Sequence, residues 1–454
     1  MQRDGSVEGE RLLSAGFLSL ATMEFLERFA VSGVKSLLVL IFLDRVLVGD
    51  VSRVVGVTAF SETSAAMFGP LSATGLASQL YGYANALIYL AIPVGGLIGD
   101  VIRNRRVMVA AGGIGMLLGL TLMLGDPTFL LGLVPFAIGA GVLKGNLSAQ
   151  LGALFQDEAQ RRRGYAVYLG FLNAGVICGP LVCGALAAFA GQDYAIAAAA
   201  AAVALGLAIY AVTGRAAPAA PPADLAASTP DPARSTALLV VALAAVYLCY
   251  SAYDQLGNIF LVWARTRADR HVLGWTMPVA WFLSLDGVFT LALITVSQVA
   301  SRALQRRGIR IGAVTQIFLG GMLCSAGYLV LALGDATSGG APLALPWTLA
   351  YLVLIDGAIV LIWPSALSLI AGSAPRHLVG FWMGLFYLHG VFASLWAGFS
   401  GVFYERIASP QFWLLHAAVA AAGALLIVVA APALIRAGRR RQAITTSACA
   451  KARA

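Results

Sequence analysis

Charge is scarce in this chain: Asp, Glu, Lys and Arg make up 11% of its residues, hydrophobic residues make up 60%, and mean hydropathy is +0.85. So little polar surface cannot cover soluble domains, and the 454 residues predict an integral membrane protein. Period-two alternation is missing too. The apolar runs are long and continuous, which excludes a β-barrel and predicts an all-α membrane protein. Cysteine is sparse. Cys178, Cys183, Cys249 and Cys324 lie in apolar stretches and Cys449 near the C-terminus, a pattern with neither a disulfide framework nor a metal-ligand spacing. The chain lacks a Walker sequence G-x-x-x-x-G-K-[ST], a Gly-x-Ser-x-Gly and any loop large enough for a soluble catalytic domain. These absences exclude an ATP-driven pump and predict a protein that is not an enzyme and carries no metal or cofactor. No small-residue cleavage site precedes the first apolar run, so that span is expected to be retained.

What is present is hydrophobic length. At roughly 20 apolar residues per span, a dozen helices take about 240 residues and leave a remainder suited to helix ends and short loops. Hydropathy and punctuation place spans 1 to 6 at residues 15–44, 77–100, 107–124, 129–155, 164–191 and 194–213. Spans 7 to 12 fall at 237–264, 272–304, 311–334, 343–371, 378–404 and 412–437. Between the halves lies GRAAPAAPPADLAASTPDPARST, a proline- and alanine-rich linker. The expected organisation is an N-terminal six-helix bundle (1–213), a cytoplasmic linker (214–236), a C-terminal six-helix bundle (237–437) and a basic cytoplasmic tail (438–454). A net charge of +9 and a pI of 9.5 do not signal nucleic-acid binding here, because Lys and Arg are dispersed among hydrophobic segments. They collect in the short loops on the side of both termini, which predicts that both termini are cytoplasmic. Compact loops without an organelle address point to a cytoplasmic (inner) membrane.

Six spans, a linker and six spans resemble the major facilitator superfamily, whose halves rock about a midplane site. A second stretch agrees: GGLIGDVIRNRR, with Gly96, Asp100, Arg103, Arg105 and Arg106, resembles that superfamily's loop between spans 2 and 3. There a helix-end Asp pairs with basic residues and helps hold one gate, a role the resemblance carries to Asp100 and Arg103. The same arginines also serve as topology determinants.

Eight ionisable residues other than histidine fall inside the spans: Glu24, Glu27, Arg28, Lys35, Lys144, Asp254, Asp286 and Asp356. Each would cost roughly 3 kcal/mol or more facing lipid, so an interior cavity and a function are expected. The four on span 1 lie within an arc of about 100°. Glu24 and Arg28, one turn apart, form the simplest ion pair and leave Glu27 and Lys35 to seek partners elsewhere, with Lys144 on span 4 a candidate. A carboxylate poised between two bases can exchange partners when protonated, which couples a proton to a conformational change. Purely structural pairing is the alternative.

At these residues the sequence resembles the proton-coupled oligopeptide transporter (POT) family. The family's Glu-x-x-Glu-Arg-Phe signature is matched by Glu24, Glu27, Arg28 and Phe29, and its span 4 motif by Lys144, Asn146 and Ser148 in LKGNLS. RGYAVYLGFLNAGVICGPLVCG supplies Asn173 and Gly175, and further agreement comes from YDQLGN at 253–258, WFLSLDGVF at 281–289 and PSALSLIAGSAPRHLVGFWMG at 364–384. The resemblance implies a transporter that imports di- or tripeptides or peptide-like compounds with protons across the lipid bilayer. By residue, it implies that Glu24, Glu27, Arg28 and Lys144 carry proton coupling. Arg28 and Lys144 would also face the peptide carboxylate, Asn173 would contact the peptide, and Lys35 with Asp254 would close the outer gate.

Departures from the family bear on the substrate. Val31 and Ser32 replace two tyrosines, and Ile359 stands at the span 10 acid that receives the peptide's amino group. Asp286, where the family has Asn, and Asp356, one turn from Ile359, are expected to restore a negative charge there. Tyr83 on span 2 is expected to line the cavity, and His389 on span 11 either titrates or bonds between helices. The alternative is the same scaffold moving another solute, such as a cationic amine, an amino-acid derivative or a drug, either inward or outward.

Overall fold

The computed structural model describes residues 14–155, 158–213, 233–374 and 378–451; most of the linker and the last three residues of the tail lie outside them. Apart from a two-residue antiparallel hairpin pairing His271 with Thr276 and Val272 with Trp275, the described secondary structure is helical. Polar caps start the helices where the sequence allows. Ser14 Oγ accepts from the Phe17 amide (3.3 Å) at the head of span 1, Ala15–Ile41. Ser72 accepts from Gly75 (3.1 Å) at the head of span 2, Ala73–Ile102.

Among the described residues ten helices are long and apolar enough to cross a membrane, against twelve expected. The two that fall short have identifiable causes. Span 1 carries its four charges inside the apolar stretch, and span 11 is broken into Val379–Tyr387 and His389–Gly401. At that break the His389 ring, through Nδ1, takes the Phe386 carbonyl (2.7 Å). Span 7 is likewise interrupted, by the 3₁₀ turn Asp254–Gly257 between Ala233–Tyr253 and Ile259–Arg267.

Other boundaries shift. Span 1 ends in a π-helical turn, Phe42–Val46, and an unanticipated helix, Val57–Phe68, fills part of the following loop. Span 7 begins at Ala233, inside the residues assigned to the linker, and the last helix runs from Ser409 to Lys451 through most of the expected tail. Alanine and arginine there favour helix, and no proline follows Pro432.

The chain divides into two compact units. Unit 1 comprises Met1–Pro222, Gln255–Val288 and Ser394–Arg406. Within it span 1 packs on span 5 (Glu158–Phe189) and span 6 (Gln192–Thr213), while span 4 (Phe129–Ala153) packs on spans 2 and 3 (Arg105–Met123). Unit 2 comprises Ala223–Asp254, Phe289–Ala393 and Ile407–Ala454. Span 9 (Ala313–Thr337) is its centre, against span 10 (Leu345–Ser373) and span 12.

Candidate functional site

Glycine sets the depth of the charged cluster in unit 1. On span 5, Gly175 and Gly179 lie one turn apart against the span 1 backbone. A Cβ on Gly175 would meet the Phe25 carbonyl and stand 2.8 Å from Arg28 Cβ, and one on Gly179 would stand 2.9 Å from Gly33 N. Span 4 approaches span 2 in the same way, since a Cβ on Gly145 would fall 2.5 Å from the Ile92 carbonyl. Only glycine tolerates such contacts, and they accompany a cluster of charged side chains from spans 1 and 4 and a tyrosine from span 5.

The result is a five-residue cluster. Arg28 donates through Nε and Nη2 to the two carboxylate oxygens of Glu27, a bidentate pair, and its Nε also lies 3.7 Å from Glu24 Oε1. Lys144 donates to Glu24 Oε1 and the Tyr168 hydroxyl to Glu24 Oε2. Lys144 Nζ also stands 6.0 Å from the centroid of the Tyr168 ring. Both glutamate side chains are 0% exposed, whereas Arg28 and Lys144 keep 17% and 18% of theirs. Two buried acids thus share two bases that still reach open space. Protonating either acid releases part of a base, so the group is able to trade a proton for an anion such as a carboxylate.

Glu24, Glu27, Arg28 and Lys144 therefore meet as the sequence suggested, although Glu27, and not Glu24, holds Arg28 bidentately. Tyr168 was not singled out by the sequence, yet a signal was there. It precedes Gly175 by seven residues, which returns it to the face of the glycine seam that meets span 1. Lys35 lies apart from the cluster, in unit 1, with Nζ 5.9 Å from the Tyr81 ring centroid and 6.0 Å from that of Tyr89. Asp254 is buried in unit 2 at the start of the span 7 turn.

The remaining candidates scatter. Tyr83 is 45% exposed and meets Phe60 edge-on (6.0 Å). At 100° per residue it faces away from Tyr81 and Asn85, the buried face of span 2. Asn173 is half-buried and turns its amide back to the Leu169 carbonyl (2.7 Å). Asp286 is half-buried in unit 1, while Asp356 is fully buried in unit 2, so only Asp286 retains surface for a ligand. His389 is 3% exposed, its ring 4.2 Å from Tyr250 and 5.1 Å from Trp363, in an aromatic packing position.

At the loop between spans 2 and 3, Asp100 pairs with Arg105 instead of Arg103. Arg103 caps span 2 in the left-handed region (φ 58°), and the reversal returns the first residue of span 3 to Asp100. Arg105 Nη1 donates to Asn146 Oδ1 (3.4 Å), and Asn146 Nδ2 donates to the Gly95 carbonyl (2.8 Å). Gln150 Nε2 donates to the Arg105 carbonyl (3.1 Å) and accepts through Oε1 from the Tyr210 hydroxyl (2.8 Å). Two residues apart on span 4, Lys144 and Asn146 point about 200° from each other and serve two different networks.

Unit 1 also contains a seam between span 2 and the Ser394–Arg406 segment. Ser78 Oγ donates to the Ala397 carbonyl (3.2 Å), Asn85 Nδ2 to Ser394 Oγ (2.8 Å), and Asn258 Nδ2 to Ser78 Oγ (2.7 Å) and the Ala397 carbonyl (3.0 Å). Gln255 Nε2 donates to Ser400 Oγ (2.7 Å). Span 8 (Trp281–Arg306) closes on span 5 through Trp281 Nε1 to the Leu181 carbonyl (2.9 Å) and Ser284 Oγ to the Ile177 carbonyl (2.8 Å). Each of these seam bonds joins neutral groups.

Comparison with known proteins agrees with this architecture. A model of the Major Facilitator Superfamily matches residues 56–398. The peptide transporter YePEPT of Yersinia enterocolitica subsp. palearctica is 24% identical over 404 residues, 72% of this chain and 79% of that protein. A di-/tripeptide transporter of Lactococcus lactis subsp. cremoris is 25% identical over 284 residues, 60% of this chain and 52% of that protein. Among solved structures, a POT family transporter in complex with 5-aminolevulinic acid shares the fold at TM-score 0.78 and 17% identity, over 92% of this chain and 96% of that one.

Proposed function

The chain belongs to the major facilitator superfamily, as a multi-pass membrane transporter and not an enzyme, and we propose that it is a POT-family symporter importing di- or tripeptides or peptide-like compounds with protons. The proposal includes a cytoplasmic (inner) membrane location with both termini in the cytoplasm, supported by the placement of Lys and Arg. The cluster of Glu24, Glu27, Arg28, Lys144 and Tyr168 carries the reading. Its acids are fully buried and its bases are largely so, each base keeping under a fifth of its side chain exposed, so a proton and a peptide carboxylate compete for the same cations. A proton on Glu27 releases the Arg28 fork for the peptide's carboxyl end. Deprotonation returns Arg28 to Glu27 and expels the cargo. The relatives, named as peptide transporters, support this cargo over the other solutes considered.

The test is Glu27→Gln in proteoliposomes. A permanently neutral side chain cannot take and release the coupling proton, so gradient-driven uptake is expected to vanish while counterflow exchange of peptide persists. Equal loss of both would assign Glu27 a structural role.

A further inference from the structure

The connection between spans 7 and 8 folds into the hairpin of His271–Val272 and Trp275–Thr276, and its turn is a strained one. Leu273 and Gly274 both take φ above zero, 50° and 87°, a pair of angles for which two-residue hairpin turns favour Asn, Asp or Gly. Leucine carries its Cβ into that strain, and at 96% exposure its side chain is left almost wholly outside the protein. The pairing also gives the hairpin two faces. Val272 lies opposite Trp275 on one, and His271 opposite Thr276 on the other, with His271 Nδ1 3.1 Å from Asp269 Oδ1. One face and the tip are apolar, and the other face is polar.

Span 5 fixes the height of this hairpin in the bilayer. Its apolar stretch ends at Phe189, 74% exposed, and span 6 opens at Gln192 beside Asp193, whose exposed carboxylate accepts from Arg45 Nη1 (2.6 Å). Water therefore begins at this level. Leu181, eight residues before Phe189, lies roughly 12 Å below it. There Trp281 Nε1 donates to the Leu181 carbonyl (2.9 Å), and one turn deeper Ser284 Oγ donates to the Ile177 carbonyl (2.8 Å). Span 8 thus starts inside the apolar zone and runs antiparallel to span 5. Trp275 meets Trp281 edge-on, ring centroids 5.2 Å apart, which holds the hairpin down at that head. On its other side Arg270 donates to the carbonyls of Met277 (2.5 Å) and Arg265 (3.1 Å), and Arg265 pairs with the exposed Asp44 (2.6 Å). The hairpin is bracketed between ion pairs that mark water and an indole bonded at acyl depth, the layer that tryptophan favours at a membrane surface.

We propose that this hairpin is a membrane anchor whose partner is the lipid leaflet at the Phe189 end of span 5. Leu273 and Trp275 seat among the acyl chains, and the face of His271 and Thr276 turns to the headgroups. The leaflet gives Leu273 the burial that the protein does not, which offsets the strain of its backbone. The connection between spans 7 and 8 is thereby held to the bilayer by its own side chains. The inference rests on the spans crossing a membrane and is independent of the cargo.

The experiment places a nitroxide on the full chain in phosphatidylcholine liposomes, at Leu273→Cys and, separately, at His271→Cys, with the signal of the unsubstituted chain subtracted. Oxygen concentrates among acyl chains and a nickel chelate stays in water. The ratio of oxygen to nickel collision rates is expected to be about threefold or more higher at 273 than at 271. Equal ratios at the two positions place the tip in water and overturn the anchor. Protection from both reagents, with dipolar broadening between labels, means that a second copy of the chain covers the tip and overturns it as well. Trp275 carries the test where the label disturbs the turn. The emission lost on Trp275→Phe is expected to be about half or less in acyl-brominated phosphatidylcholine of what it is in the plain lipid, because bromine quenches only an indole within the leaflet. An unchanged difference between the two lipids overturns the anchor.

Discussion

A single methyl group at residue 82 is enough to test whether the span 2 seam is a gate. In Gly82→Ala the new Cβ would stand 2.6 Å from the Ser394 carbonyl oxygen, 2.7 Å from Gly398 Cα and 2.9 Å from Gly398 N, all backbone atoms that cannot rotate aside. Carbon contacts settle at about 3.5–4.0 Å, so the helices must part by roughly 1 Å. The bonds from Ser78 to Ala397 (3.2 Å) and from Asn85 to Ser394 (2.8 Å) span the same gap. With the bond from Asn258 to Ser78 strained as well, two or three bonds at about 1 kcal/mol each are at risk, about 2–3 kcal/mol in all. That moves the ratio of closed to open seam roughly 30- to 150-fold. The assay pairs two readouts on proteoliposomes. Peptide uptake should fall steeply, and a cysteine placed at the buried Ala397 should gain reactivity toward an impermeant maleimide added outside, measured above the background of the native cysteines. A thermal unfolding midpoint near that of the wild type certifies folding. Unchanged uptake together with unchanged labelling would refute the seam as a gate.

Tyr168→Phe deletes one charge-assisted bond to a buried carboxylate without leaving a cavity, and a loss of about 1.5–3 kcal/mol of stability is expected in denaturant titrations; an unaltered midpoint would mean that Glu24 does not need the hydroxyl. Arg103→Gly relieves a side chain held at φ 58° and is expected to stabilise the protein by about 0.5–1 kcal/mol, read as a higher unfolding midpoint. A lower midpoint would show that the Arg103 side chain contributes more than its backbone costs. Asp286→Asn should weaken binding of peptides with a free amino end roughly 10- to 150-fold, and of the acetylated peptides little, in competition binding. Equal preference in wild type and variant would remove Asp286 as the amine partner.

The fold was legible in the sequence because lipid imposes one rule on every span, and hydropathy reads that rule directly. Its exceptions were local. Nothing in hydropathy separates a straight helix from one interrupted at Asp254–Gly257 or beside His389, since both breaks arise where a side chain or a neighbouring backbone intrudes on the ladder. Within the site, Glu24, Glu27, Arg28 and Lys144 were legible because charge inside a span is costly and must be repaid. Tyr168 was hidden among ordinary aromatics, visible only through its register with Gly175 and Gly179. The arc on span 1 included Lys35 with the rest, but two turns along the axis separate it from Arg28, and angular position alone does not measure height. Asn258 could not be found this way, for its significance lies in what stands opposite it, Ser78 and the Ala397 carbonyl.

The four charges of the cluster sum to zero: Glu24 and Glu27 against Arg28 and Lys144. Rearranging such a set displaces no net charge, and over a complete cycle the whole carrier returns to its starting state, so under the proposed symport the net charge moved belongs to the cargo and its protons alone. A zwitterionic dipeptide carried with one proton transfers one positive charge, driven by about 2.3 kcal/mol per 100 mV. A dipeptide with one acidic side chain and one proton transfers none and is blind to voltage. Current recorded across a clamped bilayer, set against peptide flux, would thus count protons per peptide, because the carrier's own charges return to their starting places in every complete cycle.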